Sequence, residues 1–194
     1  MKAAGIPFSE VRIPLYGPGA KQEILRYSPS GKVPCLVDGD VRVWDSLAIG
    51  EYLAETHIGL WPEAKDARAL ARSISAEMHS GFPNLRQHMS MNCRKRYPGK
   101  GRTPEVLEEI GRIVSIWGEC REKFGGNGEG LFGRFSIADA MYAPVVLRFR
   151  TYEVELPPAC RAYADAMLAL PAMQEWLAAA EREVESIPAF EMYG

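Results

Sequence analysis

Residues 28–55, SPSGKVPCLVDGDVRVWDSLAIGEYLAE, limit what this chain can fold into more than any other stretch. A Val33-Pro34 step leads into two short apolar runs, Pro34–Asp38 and Val41–Trp44, separated by an Asp-Gly-Asp turn. Asp-Gly between apolar runs is a strong short-range hairpin signal, because glycine accepts the positive φ that a tight loop demands. From Ser46 to Thr56 the apolar residues fall at Leu47, Ile49, Tyr52 and Leu53, which is helical spacing. The stretch therefore reads strand, strand, helix.

The flanking sequence extends that pattern in two different ways. Upstream, Phe8 to Ile13 alternates apolar and polar residues and predicts a strand, and Gly19 to Tyr27 predicts a short helix. Downstream, Ile58-Gly59-Leu60-Trp61-Pro62 opens a linker at 58–65, and everything beyond it is helix and turn. The division expected is a mixed α/β domain at 1–57, the linker, and an all-helical domain at 66–194. In the helical part the expected elements are one long helix from Asp66 to about Met91, with a possible kink at Pro83, and a second from Pro104 to Phe124. Thr103 is the N-cap of that second helix, with proline at the first helical position, where its missing N–H costs nothing. Three more helices follow: Ser136 to about Arg150, Pro158 to Leu170, and Pro171 to Val184. Ser136-Ile137-Ala138-Asp139 reads as a capping box and as a structural feature. The loop at 125–130 is glycine-rich, but no strand precedes it and no Lys-Ser/Thr follows, so it is not a phosphate cradle.

Composition removes several function classes. At 194 residues, 47% hydrophobic and 25% charged, the chain has the material for one large or two small globular cores. A formal net charge of −2 gives no general attraction to nucleic acid or anionic membrane. No apolar run approaches the roughly 20 residues of a membrane helix, and residues 1–7 predict no secretory leader. The four cysteines (Cys35, Cys93, Cys120, Cys160) are widely spaced and form no CxxC pair, so they read as reduced thiols of a cytoplasmic protein. With three histidines they make no metal signature.

Three places carry candidate chemistry. A cis Val33-Pro34 would turn the Val33 backbone toward a cleft, free to pair with an extended peptide; a trans proline closing a loop is the plainer reading. Ser46 falls where an N-cap belongs, beside free N–H groups and the positive end of a helix dipole, which favour a carboxylate. Asp45 beside it is suited to an ammonium, and the plain alternative is an ordinary cap preceded by an acid. Lys32 suits a second carboxylate or is a solvated loop lysine. Cys35 reads as an inert buried thiol, although it follows Pro34. Met78, His79, Phe82 and Met89 share helical spacing and read as a core or dimer-facing stripe before an electrophile pocket. Arg94-Lys95-Arg96 reads as a solvated helix end.

These sites in this order resemble the glutathione-binding part of the thioredoxin-like domain of cytosolic glutathione transferases. The helical remainder, with its capping box, is similar to their C-terminal domain. The resemblance implies a cis Pro34, Val33 paired with the cysteinyl backbone, Asp45 and Ser46 on the γ-glutamyl end, and Lys32 near the glycyl carboxylate. It implies glutathione as co-substrate without a metal, a small electrophile as second substrate, a homodimer and detoxification chemistry. A non-catalytic binding or regulatory module of the same fold is the alternative.

One part of the family pattern has no counterpart. The family's first strand and the turn after it carry the Tyr, Ser or Cys that activates the thiol, and this chain opens with what resembles the end of the first helix. Ser9 and Tyr16 are poor substitutes, so no catalytic residue is assigned. The expectation is that Met1 is an internal methionine of a longer protein, about 20 residues short by usual element lengths. The alternative is a variant in which other chain fills the gap.

Overall fold

Residues 1–193 are described by a computed structural model, and they form two compact units, Met1–Trp61 and the chain from Pro62 onward. In the first unit, α1 (Ala20–Tyr27) leads through a loop to β1 (Cys35–Asp38), β2 (Val41–Trp44) and α2 (Ser46–Ala54). β1 and β2 pair antiparallel, Cys35 opposite Trp44 and Asp38 opposite Val41. The loop between them is Gly39-Asp40, where the two apolar runs 34–38 and 41–44 leave it. Gly39 takes the first loop position at φ 57°, where a type II′ turn calls for glycine.

Two links hold this unit's loop and hairpin in place. Arg42 Nη1 donates to the carbonyls of Arg26 (3.0 Å) and Tyr27 (2.9 Å), tying the end of α1 to β2. Tyr52 Oη donates to Asp38 Oδ2 at 2.9 Å, joining α2 to the end of β1. The predicted strand at Phe8–Ile13 does not form, and the segment carries no regular structure. The alternation is there, but a strand exists only through a hydrogen-bonded neighbour, and the sheet of the described residues has two strands, neither beside it.

The second unit is helical: α3 (Lys65–Ser80), α4 (Pro83–His88), α5 (Pro104–Phe124), α6 (Ile137–Tyr152), α7 (Pro158–Ala169) and α8 (Pro171–Arg182). The single long helix expected from 66 to 91 is two. Gly81 is extended and Phe82 is left-handed (φ 58°) immediately before Pro83, so proline starts a new helix rather than kinking an old one. α5 has its expected ends, with Val106 N–H donating to Thr103 Oγ1 at 3.4 Å. Trp117 on α5 is wholly buried and meets Tyr142, Phe149 and Tyr163, with ring centroids 5.9, 5.4 and 4.9 Å away. Those tilted and edge-on contacts are the arrangements aromatic quadrupoles favour. Met78, Phe82 and Met89 are buried, but His79 is exposed, and Phe82 and Met89 lie beyond the helix that carries Met78, so the four do not form the single helical stripe expected.

Asp139 organises the start of α6. Its carboxylate accepts from Ser136 N–H (2.8 Å), Ser136 Oγ (2.9 Å) and, eight residues back, Leu131 N–H (2.9 Å). Burial pushes its carboxyl pKa up, against the pull of those hydrogen bonds. Arg94 and Lys95 are exposed as expected but do not close a helix. They lie beyond α4 and hold the C-terminal segment, Arg94 Nη1 donating to the Glu183 carbonyl and Lys95 Nζ pairing with Glu191 at 2.9 Å.

Candidate functional site

The first unit surrounds an open cavity of about 990 Å³. Val33, Pro34 and Ser46 all line it, so three of the five residues singled out in the sequence meet at one place. The Val33–Pro34 peptide bond is cis. Lys32 is exposed on the loop directly before it, its backbone N–H donating to Ser30 Oγ at 3.2 Å. Neither Lys32 nor Asp45 is among the lining residues; each adjoins one that is.

The start of α2 differs from its sequence reading. The N-cap is Asp45, not Ser46: Asp45 Oδ1 accepts from Leu47 N–H at 2.9 Å and more weakly from Ala48 N–H at 3.5 Å. Ser46 is the first helical residue, exposed, with its hydroxyl at the positive end of the helix. Asp45 itself sits at φ 79°, ψ 132°, a backbone region that an L-residue enters only at a cost of about 1–3 kcal/mol. Either serine or aspartate can cap a helix, and which one does so depends on backbone dihedrals that sequence pattern does not report. The strained aspartate caps the helix with its carboxylate, and Ser46 beside it presents the start of that helix to the cavity.

Cys35 also lines the cavity and is half-buried, its Sγ–H directed to the Tyr27 carbonyl at 3.4 Å. The full burial expected of its side chain does not occur. Arg42 and Tyr52 were not singled out in the sequence, yet they hold the loop and hairpin that carry the site. An arginine on a strand and a tyrosine on a helix give no local signal of such a role. Among the described residues no group of three or more His, Cys, Asp or Glu side chains is placed to hold a metal ion.

A cis Val-Pro step before a β-hairpin, an acid-capped helix after it and a separate helical unit together define a glutathione-transferase fold. Residues 1–56 match the glutathione S-transferase N-terminal domain, and residues 101–179 match the glutathione S-transferase C-terminal domain. Glutathione S-transferase 3 of Zea mays is 27% identical over 191 residues, covering 90% of this chain and 84% of that protein. A probable maleylacetoacetate isomerase of Caenorhabditis elegans is 30% identical over 146 residues, covering 72% of this chain and 65% of the relative. A glutathione transferase homologue from Burkholderia, solved with bound glutathione, superimposes with a TM-score of 0.67 at 24% identity, covering 94% of this chain and 88% of that one. The chain belongs to the glutathione S-transferase family.

Proposed function

We propose that this protein binds glutathione in its first unit and adds it to a small electrophile, or uses it to isomerise or reduce one. The observation that carries the reading is the meeting of Val33, Pro34 and Ser46 on one cavity, beside a helix start capped by Asp45. In this reading the Val33 backbone pairs with the cysteinyl residue. Asp45 takes the γ-glutamyl ammonium, the Ser46 hydroxyl at the positive end of α2 takes the adjacent carboxylate, and Lys32 faces the glycyl carboxylate. Apart from the Val33 pairing, which joins neutral amides, each contact sets an ionised group of the ligand against a group of opposite polarity, the stronger class of hydrogen bond.

Binding in this way fixes where the sulfur lies. The chemistry then requires thiolate, because a free thiol with a pKa near 8.5 is mostly protonated at pH 7. No side chain is assigned to that step. Calorimetric titration with glutathione tests the binding reading: saturable heat lost in Asp45→Ala supports it, and no heat at millimolar glutathione rejects it. Turnover of a chloro-nitroaromatic electrophile above the uncatalysed rate separates the enzyme from the binding module. Homodimerisation and a cytoplasmic location belong to the same proposal. A sedimentation-equilibrium mass tests the first; no helix among the described residues is long and apolar enough to cross a membrane.

A further inference from the structure

Beyond α8, residues 183–193 run back across the α4–α5 connection as a strap. None of the described strap residues is buried, and Val184, Phe190 and Met192 remain 91%, 47% and 41% exposed, so apolar burial contributes little to its hold. The hold is polar. Glu191 Oε2 accepts from Lys95 Nζ at 2.9 Å, Asn92 Nδ2 at 3.2 Å and Tyr97 Oη at 3.4 Å, and Arg94 Nη2 lies 3.8 Å from Oε1. Lys95 beside it holds the Glu191 carboxyl below the ordinary carboxylate range, so it is ionised at neutral pH. Two residues on, the Tyr193 ring meets Tyr97 and Tyr152 edge-on, with centroids 5.6 and 6.0 Å away.

The groups beneath the strap are positioned without it. Asn92 Oδ1 accepts from the backbone N–H groups of Arg94 (3.1 Å) and Lys95 (3.0 Å), which turns its Nδ2 toward Glu191. Thr151 Oγ1 donates to the Asn92 carbonyl at 2.7 Å, and Tyr97 N–H donates to the Thr151 carbonyl at 2.7 Å, so the end of α6 fixes both residues. Tyr97 and Tyr152 also pack on each other, with centroids 5.6 Å apart. Cationic and neutral donors therefore converge beside a pair of aromatic rings, and the strap answers them with one carboxylate and one ring. A carboxylate joined to an aromatic ring matches both halves, through charge-assisted hydrogen bonds and edge-to-face packing.

We propose that Asn92, Arg94, Lys95, Tyr97 and Tyr152 form a binding site for a small aromatic carboxylate, and that Glu191 and Tyr193 occupy it as an internal stand-in which such a ligand displaces. The site lies within the second unit and does not rest on glutathione binding.

The probe is 3-phenylpropionate, titrated calorimetrically into the full chain without glutathione, with 3-phenylpropionamide as the uncharged control. A site filled about nine-tenths of the time by its own strap binds roughly tenfold more weakly than the open one. Glu191→Gln, which removes the charge of the stand-in and keeps its length, is therefore expected to bind the probe at least roughly tenfold more tightly than the wild type. Adding Lys95→Ala should abolish that gain. In the wild type, excess probe should speed hydrogen exchange in fragments covering residues 187–193 while fragments covering 90–97 stay protected. That measurement needs no variant, so it decides the matter even if Glu191→Gln fails to fold. The proposal is overturned by equal probe affinity in wild type and Glu191→Gln, or by no heat from Glu191→Gln at millimolar probe. Affinity that survives Lys95→Ala, or that the amide matches, overturns it too, as does wild-type exchange at 187–193 that excess probe leaves unchanged.

Discussion

Asp45 combines a helix cap, a strained backbone and a proposed ligand contact, and two substitutions separate these roles. Asp45→Ala removes the acceptor for Leu47 N–H at 2.9 Å and Ala48 N–H at 3.5 Å while leaving a Cβ at φ 79°. Losing such a cap costs about 0.5–2 kcal/mol, and the strain remains. Asp45→Gly also loses the side chain, but glycine caps only a few tenths of a kcal/mol less well and enters positive φ freely. It recovers about 1–3 kcal/mol of strain against roughly 0.5–1 kcal/mol of added chain entropy on unfolding. Asp45→Gly is therefore expected at or above wild-type stability and Asp45→Ala about 1 kcal/mol below, measured by urea unfolding followed by circular dichroism. Both lose a charge-assisted bond to the ligand ammonium, worth about 1.5–3 kcal/mol, so glutathione affinity should fall roughly tenfold to a hundredfold in each. Stability diverges while binding converges. If Asp45→Gly is as unstable as Asp45→Ala, the strain carries no energy. If Asp45→Gly binds glutathione like the wild type, Asp45 does not touch the ligand.

Asp139→Ala strands three donors at the start of α6 and should cost about 3–5 kcal/mol, lowering the melting temperature by about 10 °C in calorimetry. Cys120 is buried and its thiol is pushed up to about 12, so iodoacetamide at pH 8 should modify it only after unfolding, as peptide mass mapping will show. The neutral thiol is the folded-state preference; its contribution to stability is complete below pH 9 and disappears as the pH rises through about 12. Lys32→Ala should weaken glutathione binding by up to roughly tenfold and flatten its salt dependence in titrations at two ionic strengths, with melting unchanged. Gly101 has φ 70°, and a Cβ there would strike the His88 carbonyl; Gly101→Ala should lower the melting temperature by several degrees.

The site was legible as far as its residue types and order reach. Val33-Pro34 and Asp45-Ser46 each had an ordinary structural reading, and only their sequence around a hairpin made them a binding pattern. Their convergence on one cavity required the fold. Arg42 and Tyr52, which hold the loop and hairpin in place, act across 14–16 residues of chain and leave no local signature.

Where an element depends on its own few residues, the amino-acid order was enough. Thr103-Pro104 starts α5, Pro158 and Pro171 start α7 and α8, and Gly39 turns the hairpin, because caps, fixed φ and positive φ are properties of one or two residues. Where an element depends on a neighbour, it was not. Phe8–Ile13 alternates like a strand yet is none, since strand formation is a matter of pairing. Likewise the exchange of capping duty from Ser46 to Asp45 was settled by backbone angles at the hairpin-to-helix junction. Tertiary structure decided those two points because both turn on which groups are brought within hydrogen-bonding distance, and no spacing along the chain records that.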